Sequence, residues 1–193
     1  MEMAKVLEEY ADIMSGGIGK YNGNPVQIQM AEGVPPVIQP NRRVPMHYVK
    51  PLKDHLDELL TEDVIEGPLK EEEQGSWISN LVITDKRWDE ASKEQGDRVQ
   101  IRANLDCRPL NKHVYQTHEP IPTPEELRHN LRGSTRFSIL DMNHSFHQFE
   151  IEESARKLFT FRTPWGLYRF KRLVMGNSPA SSECHRRIRT VLL

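Results

Sequence analysis

One short run limits the fold of this chain more than any other, because it places an acid directly after a strand-like pattern. Within Phe137–Ile151, the apolar side chains of Phe137 and Ile139 alternate with smaller or polar neighbours, and Asp141 follows them. This alternation predicts a half-buried strand that delivers Asp141 to the edge of a sheet. A carboxylate there needs a partner, and one held on a rigid strand suits Mg²⁺. A turn-forming or helix-capping role for Asp141 is the alternative.

The other patterns alternate between helix and strand along the chain. Thirteen prolines in 193 residues break it into short elements, and the pattern as a whole predicts an α+β fold. We expect helices over residues 2–14, 52–64, 124–132 and from Ser178 onward, the third with Thr123 as N-cap and Glu126 reaching back. We expect strands over residues 26–30, 77–84 and 99–105, and a hairpin formed by residues 159–163 and 168–171.

Charge is distributed unevenly, although the formal net charge is only −2. From Arg156 onward there are nine Lys or Arg residues and one acid, whereas residues 1–155 contain 17 basic and 27 acidic residues. Aromatic residues are interleaved with these cations, which is typical of a surface that contacts a nucleic acid strand. The cations are Arg162, Arg169, Lys171, Arg172, Arg186, Arg187 and Arg189. Ordinary outward-facing side chains on hairpin strands are the alternative interpretation.

Cysteine and histidine spacing gives no sign of a zinc site. Cys107 and Cys184 lie far apart and match no zinc pattern, so we expect a reduced, intracellular protein, without distinguishing cytoplasm from nucleus. His144 and His147 are separated by three positions with no cysteine nearby, and we expect them to be structural. The sequence contains neither a signal peptide nor an apolar run long enough to cross a bilayer, so no membrane partner is expected.

A series of phrases in fixed order resembles the reverse transcriptase of gypsy-type LTR retrotransposon polyproteins and their retroviral relatives. The phrases are Gly17–Lys20, Gln39–Pro45, Val64–Glu66, Ser76–Ile83, Arg102–Asn111, Pro120–Leu127, Phe146–Gln148, Phe159–Thr163, Gly166–Phe170 and Arg172–Ala180. The resemblance implies the fingers and first part of the palm of a right-hand polymerase. It places an N-terminal helix and a protease-to-polymerase connector in residues 1–45, a fingers-like region in 46–134, and a partial palm with two catalytic-region motifs in 135–193.

The same resemblance implies RNA-directed DNA polymerase chemistry. Such enzymes join a primer 3′ hydroxyl to a deoxynucleoside triphosphate with two metal ions, here Mg²⁺, and their partner is an RNA or DNA template-primer. Asp141 would be the catalytic carboxylate that binds both metals. Phe146 would lie against the sugar and exclude a ribose 2′ hydroxyl, and a purely core role for this ring is the alternative.

The resemblance also assigns residues that contact the phosphates of the nucleotide and the templating base pair. Arg102 matches an arginine that contacts the triphosphate, which suits its fixed fork of donors. Lys86 aligns with a lysine directed at the γ-phosphate, although a long insertion lets Lys86 and Arg87 exchange roles. Gly176 begins a segment of small residues that would approach the templating pair closely. For each cation, a solvated surface charge is the alternative.

The largest departure from the family concerns the other catalytic carboxylates, which family members have in addition to the counterpart of Asp141. They come from a Tyr/Phe-x-Asp-Asp hairpin, whereas this sequence contains no adjacent Asp pair and ends after Val191–Leu193. We therefore expect a polymerase fragment truncated before that hairpin, inactive by itself and capable of associating with other polyprotein segments. The alternative is a domesticated, non-enzymatic module that binds nucleic acid or another polymerase chain.

Overall fold

The computed structural model describes residues 3–13, 16–73, 75, 77–85, 100–116, 119–120, 122–139 and 141–192. Its helices are α1 (Met3–Glu9), α2 (Met46–Thr61), α3 (Arg108–Asn111), α4 (Pro124–Asn130), α5 (Glu153–Arg156) and α6 (Ala180–Leu192). Its strands are β1 (Ile65–Glu66), β2 (Leu81–Asp85), β3 (Ile101–Leu105), β4 (Thr160–Thr163) and β5 (Gly166–Phe170). Among the described residues, three 3₁₀ turns cover Glu71–Glu73, Ser145–Gln148 and Lys157–Phe159. The predicted mixture of helix and sheet is confirmed.

The described strands form two small antiparallel sheets. β5 lies between β1 and β4, with Phe170 opposite Ile65 and Arg169 opposite Thr160. β2 pairs with β3 from Leu81 opposite Leu105 to Asp85 opposite Ile101. Ser79 joins the two sheets, because its N–H donates to the Thr160 carbonyl at 2.9 Å and its carbonyl accepts from Arg162 N–H at 3.1 Å.

The hydrophobic core has a large main cluster and a smaller second cluster. In α2, Leu52, Leu56 and Leu59 are buried because their spacing places them on one helical face. They pack with Phe159 and Phe161 into the main cluster. The second cluster consists of Val26, Phe149, Leu173, Ala180 and Cys184, with Phe146 packed against it.

Three of the isolated β-bridges in the described structure attach the proline-rich connector before α2 to the core. Val26 bridges to Ile151, Met30 to Val114, and Ile38 to Ile78. Our prediction of a strand over residues 26–30 is wrong, because its two ends pair with different segments and each makes a single bridge. Val26 is fully buried, so this part of the connector is a component of the core.

The predicted strand that leads to Asp141 is also wrong. Residues 134–139 and 141–142 adopt neither helix nor strand. Phe137 is 63% exposed and Ile139 is 94% exposed, so the alternating side chains cover no core within the described structure. Alternation stabilises a strand only where a neighbour accepts its backbone hydrogen bonds, and none of the described strands pairs with this segment.

Predictions that rested on contacts between residues close in sequence agree better with the structure. Both hydrogen bonds of the capping box form at α4, since Glu126 N–H donates to Thr123 Oγ1 and Thr123 N–H donates to the Glu126 carboxylate. The β4–β5 hairpin and the C-terminal helix α6 are confirmed as well. Among the helices in the described ranges, we find none with the length and apolar character needed to span a bilayer.

Candidate functional site

Asp141 is exposed and lies at the start of a short irregular segment that leads to the Ser145–Gln148 turn. Two amide side chains hold this segment. Asn143 Nδ2 donates to the Gly16 carbonyl at 2.9 Å, and Gln148 Nε2 donates to the Asn143 carbonyl at 2.8 Å. The segment is therefore anchored to the N-terminal connector, although Asp141 itself is not on a strand.

The described residues do not fit a pair of Mg²⁺ ions. No group of three His, Cys, Asp or Glu side chains that could hold a metal occurs in the parts of the chain that the structure describes. Asp141 contributes a single exposed carboxylate, whereas a divalent cation held by protein oxygens usually needs several converging ligands. Asp141 alone is therefore too small a ligand set for two metal ions within the described ranges.

Phe146 is half-buried in the Ser145–Gln148 turn. One part of its ring packs against the second cluster, as the core interpretation predicts. The ring is not completely covered, so contact with a sugar is still sterically possible. The role of Phe146 as a sugar-selecting residue remains a prediction.

Of the predicted triphosphate contacts, Arg102 lies among the described residues. Arg102 is exposed on β3, opposite Thr84 of β2. Lys86 and Arg87 lie outside the described residues. Arg102 therefore has the accessibility that a phosphate contact requires, and the choice between Lys86 and Arg87 stays a prediction.

Gly176 lies in a tight turn that is held by a side chain distant in sequence. Its φ of +91° falls in a region that disfavours residues with a Cβ atom. Asn111 Nδ2 donates to the Gly176 carbonyl at 2.7 Å, and Asn111 Oδ1 accepts from Ser178 N–H at 2.9 Å. This clamp fixes the segment that the resemblance places beside the templating pair. Our sequence reasoning missed the role of Asn111, although Asn111 ends one of the matching phrases.

Asp106 and Arg108 fix the turn that carries Asn111 to this position. The Asp106 carboxylate is buried and accepts from Arg108 Nε at 2.7 Å and from an Arg108 terminal nitrogen at 2.6 Å. These hydrogen bonds to Arg108 hold the pKa of Asp106 below its ordinary value, although burial opposes the shift. Gln39 Nε2 donates to the Asp106 carbonyl at 3.2 Å, so the connector is tied to the same turn.

Of the seven cations predicted to contact nucleic acid, the four on or beside the β4–β5 hairpin are largely engaged inside the fold. Arg169 Nε lies 2.6 Å from Glu66 Oε1, and Lys171 pairs with Asp63. Arg162 is half-buried on β4. Arg172 is almost completely buried and donates to backbone carbonyls, which corrects its predicted surface role to a structural one.

The predicted structural role of His144 and His147 agrees with their surroundings. Their rings stack with centroids 5.8 Å apart. Burial lowers the pKa of His147 to about 4, and the nearby positive charges of His144, His55 and Arg172 add to this shift. Nδ1 of His147 is enclosed and has no hydrogen-bond partner among the described residues. The neutral form is therefore strongly favoured.

Several known proteins are similar to this chain in sequence. No family model matches the chain. A retrovirus-related Pol polyprotein from transposon 412 of Drosophila melanogaster is 27% identical over 188 residues, which is 96% of this chain and 14% of that protein. The Tf2-3 transposon polyprotein of Schizosaccharomyces pombe is 30% identical over 92 residues, covering 48% of this chain and 7% of the relative. The chain thus spans about one seventh or less of the length of these relatives.

A solved structure has a similar fold. The prototype foamy virus protease-reverse transcriptase (a CSH mutant) matches 98% of this chain and 24% of its own, with a TM-score of 0.76 and 17% sequence identity. The names of the relatives are consistent with a gypsy-type element without specifying one. The predicted resemblance is therefore confirmed: the chain is homologous to retrotransposon Pol polyproteins over nearly its whole length and shares its fold with part of a viral protease-reverse transcriptase.

Proposed function

We propose that this chain is a reverse-transcriptase segment of a retrotransposon-derived Pol protein. In this proposal residues 46–134 form fingers and residues 135–193 form the first part of the palm of an RNA-directed DNA polymerase. The observation that carries the proposal is coverage: similarity to a Pol polyprotein extends over 96% of the chain, and the fold match extends over 98%.

Three of the predicted residues, Arg102, Gly176 and Phe146, have positions compatible with a role in a longer polypeptide. Arg102 is exposed and can contact a triphosphate, and Asn111 holds the Gly176 turn that the resemblance assigns to the templating pair. Phe146 has a partly exposed ring that can contact the sugar of an incoming nucleotide. These roles concern binding and positioning of template-primer and nucleotide.

The 193-residue polypeptide by itself is expected to lack polymerase activity. Within the described ranges Asp141 belongs to no group of three or more side chains that could hold a metal, and the sequence contains no adjacent Asp pair. Primer extension on an RNA template should therefore give no product above that of an Asp141→Asn control. Extension above this control would contradict the expectation of inactivity.

Nucleic-acid sequencing across codon 193, in both transcript and genomic DNA, is the first test of the whole proposal. The proposal expects a Tyr/Phe-x-Asp-Asp motif in frame downstream. The longer product should then extend a primer, lose this activity in Asp141→Asn, and incorporate ribonucleotides more readily in Phe146→Ala. A longer product that carries the motif but retains full activity in Asp141→Asn would refute the assignment of Asp141.

One observation favours a second candidate, a non-enzymatic nucleic-acid-binding module. From Arg156 onward the sequence has nine Lys or Arg residues and one acid, a balance typical of a segment that contacts nucleic acid. A stop codon at this point in expressed message, together with salt-sensitive oligonucleotide binding that ignores Asp141→Asn, would favour the module over the enzyme.

A further inference from the structure

A cleft of about 530 Å³ lies between the N-terminal connector and helix α6. None of its described lining residues is Asp141, Arg102, Phe146 or Gly176, so it is separate from the candidate site above. Its volume is within the roughly 300–1,000 Å³ typical of ligand sites. The cleft is therefore large enough for a short stretch of a peptide.

The connector wall of the cleft has side chains that alternate between the core and the cleft. Val26 is fully buried and Ile28 packs against the core, whereas Gln27 and Gln29 are exposed and line the cleft. Such alternation is what an extended backbone produces. Two amide groups, each able to donate and to accept hydrogen bonds, are thus presented side by side.

Aromatic and proline side chains form the apolar part of the lining. Tyr115 is 60% exposed, and Tyr21 and Pro25 line the cleft with it. Tyr115 N–H donates to the Gln29 carbonyl at 2.9 Å, so the exposed ring and an amide belong to one connected wall. Grooves lined by aromatic residues recur in proteins that bind proline-rich segments in the polyproline II conformation. Such segments have no internal hydrogen bonds, so their carbonyls are free to accept from amide groups such as that of Gln29.

Arg187 makes the floor of the cleft rigid. Its guanidinium donates to the Asn24 carbonyl and, at 3.1 Å, to the Pro25 carbonyl, which joins α6 to the connector. The same group lies 5.5 Å from the centre of the Tyr21 ring and 6.0 Å from that of Phe149. Because these contacts are internal, the cleft is organised before any ligand arrives.

The charge in the cleft fits one carboxylate better than a polyanion. Glu183 is the sole acid among the described lining residues, and it pairs with Arg186 at 2.6 Å and with Arg187 at 3.4 Å. The side chains of Glu183 and Arg187 are each 9% exposed, whereas that of Arg186 is 52% exposed. Arg189, further along α6, is already paired with Glu119 at 3.3 Å. A nucleic acid strand carries a charge on every phosphate, so the single accessible guanidinium of Arg186 is better matched to one acidic side chain.

We propose that this cleft binds a proline-rich segment of a partner protein, in the polyproline II conformation and carrying one acidic residue. A proline ring of the segment lies on Tyr115, the amides of Gln27 and Gln29 donate to its carbonyls, and Arg186 pairs with its carboxylate. Polyproline II segments are ordered before binding, so little conformational entropy is lost. This role goes beyond the polymerase proposal and uses none of the residues assigned to metal or nucleotide.

The test uses the 193-residue protein and a fluorescein-labelled, proline-rich peptide of about nine residues, or three turns of polyproline II, with a single glutamate. Anisotropy should show saturable binding, and Tyr115→Ala should raise Kd about fivefold or more, as for an aromatic anchor. The matched control is Tyr10→Ala, which removes a 45% exposed tyrosine outside the cleft and should change Kd less than about twofold.

A second variant tests the ion pair with the partner's carboxylate. Arg186→Gln should raise Kd about two- to fivefold for the glutamate peptide and should not change it for the same peptide with glutamine in that position. Arg128→Gln removes the same charge from an exposed pair with Glu125 on α4 and should affect neither peptide. All four replaced side chains are exposed, so circular dichroism and thermal unfolding of the variants should match those of the parent protein.

Three further arms identify the ligand class and locate the site. A peptide with alanine in place of each proline should bind more weakly, because it loses the preformed conformation. Single-stranded DNA serves as a competitor from the other class of macromolecule, and the proposal expects it to displace the peptide only weakly. A labelled peptide that carries a benzophenone group should crosslink to the protein fragments that contain Gln27 or Tyr115.

Several results would each overturn the inference. They are the lack of saturable binding up to about 1 mM peptide, equal effects of Tyr115→Ala and Tyr10→Ala, and an equal effect of Arg186→Gln on the two peptides. Undiminished binding of the alanine peptide, complete displacement by DNA, or crosslinks confined to other fragments would do the same. Asp141→Asn should leave peptide binding unchanged, so failure of polymerase activity in the longer product and failure of the cleft are distinguishable.

Discussion

Arg172 joins three distant segments of the chain, and its removal should strongly destabilise the fold. Its side chain is 5% exposed. Nε donates to the Asp63 carbonyl at 3.1 Å, and one terminal nitrogen donates to the carbonyls of His147 at 3.1 Å and Gly19 at 3.3 Å. The Asp63 carboxylate lies 4.0 Å away. The loop after α2, the Ser145–Gln148 turn and the connector thus share one guanidinium.

The expected magnitude follows from these contacts. Arg172→Met keeps most of the apolar stem but removes three hydrogen bonds from a charged donor, each contributing roughly 1.5–3 kcal/mol. The sum overstates the loss, because the variant also avoids burying a charge. We expect the free energy of unfolding to fall by about 3–5 kcal/mol, a large part of the roughly 5–15 kcal/mol typical of a domain.

Equilibrium unfolding in urea, followed by the fluorescence of the three tryptophans, measures this loss. With a slope of roughly 2 kcal/mol per molar urea, the midpoint should fall by about 2 M. The control Arg128→Met removes an exposed cation on α4 and should cost less than about 0.5 kcal/mol. A loss below about 1 kcal/mol for Arg172→Met would refute the idea that its carbonyl contacts stabilise the fold.

Two further predictions use the same unfolding assay. The pKa of His147 is lowered to about 4 by burial, whereas the unfolded value is about 6.5, so acidification protonates the unfolded chain first and stability falls from pH 6.5 towards 4. Between pH 7 and 5 the loss should be roughly 2 kcal/mol, and His147→Gln should show a correspondingly smaller drop; an unchanged drop would exclude His147 as the cause. At Gly67, where φ is +141°, an added Cβ would lie 2.7 Å from the Tyr168 ring and 3.0 Å from the Leu167 carbonyl, so Gly67→Ala should cost at least about 2 kcal/mol. Gly17→Ala is the control, since no described atom lies within 4 Å of its added Cβ, and equal losses for the two variants would contradict the steric reasoning.

The sequence predicted those elements whose stabilising contacts are local. The α4 capping box connects residues only three positions apart, and the β4–β5 hairpin closes through the turn between Thr163 and Gly166. Such contacts depend on nearby residue types, which a pattern can represent. The α2 helix was also predictable, because Leu52, Leu56 and Leu59 repeat at helical spacing.

Elements that depend on distant partners were not predictable in the same way. The alternation before Asp141 is a real pattern, but a strand also needs a paired neighbour, and the described structure provides none. The clamp of Asn111 on the Gly176 turn spans 65 residues. Nothing in the residue types alone shows which amide will reach which backbone group, so the sequence identified Gly176 without the residue that holds it.

The same distinction explains why a basic segment did not become a basic surface. Arg169 pairs with Glu66, and Lys171 and Arg172 lie against Asp63, over 100 positions away in each case. The acids of the first part of the chain thus neutralise the β4–β5 region that composition identified as basic. On α6 the balance differs, because Arg186 and Arg187 share the single carboxylate of Glu183. Folding therefore neutralises the cations of the hairpin, whereas at Glu183 on α6 two guanidinium groups face one carboxylate and a positive charge remains.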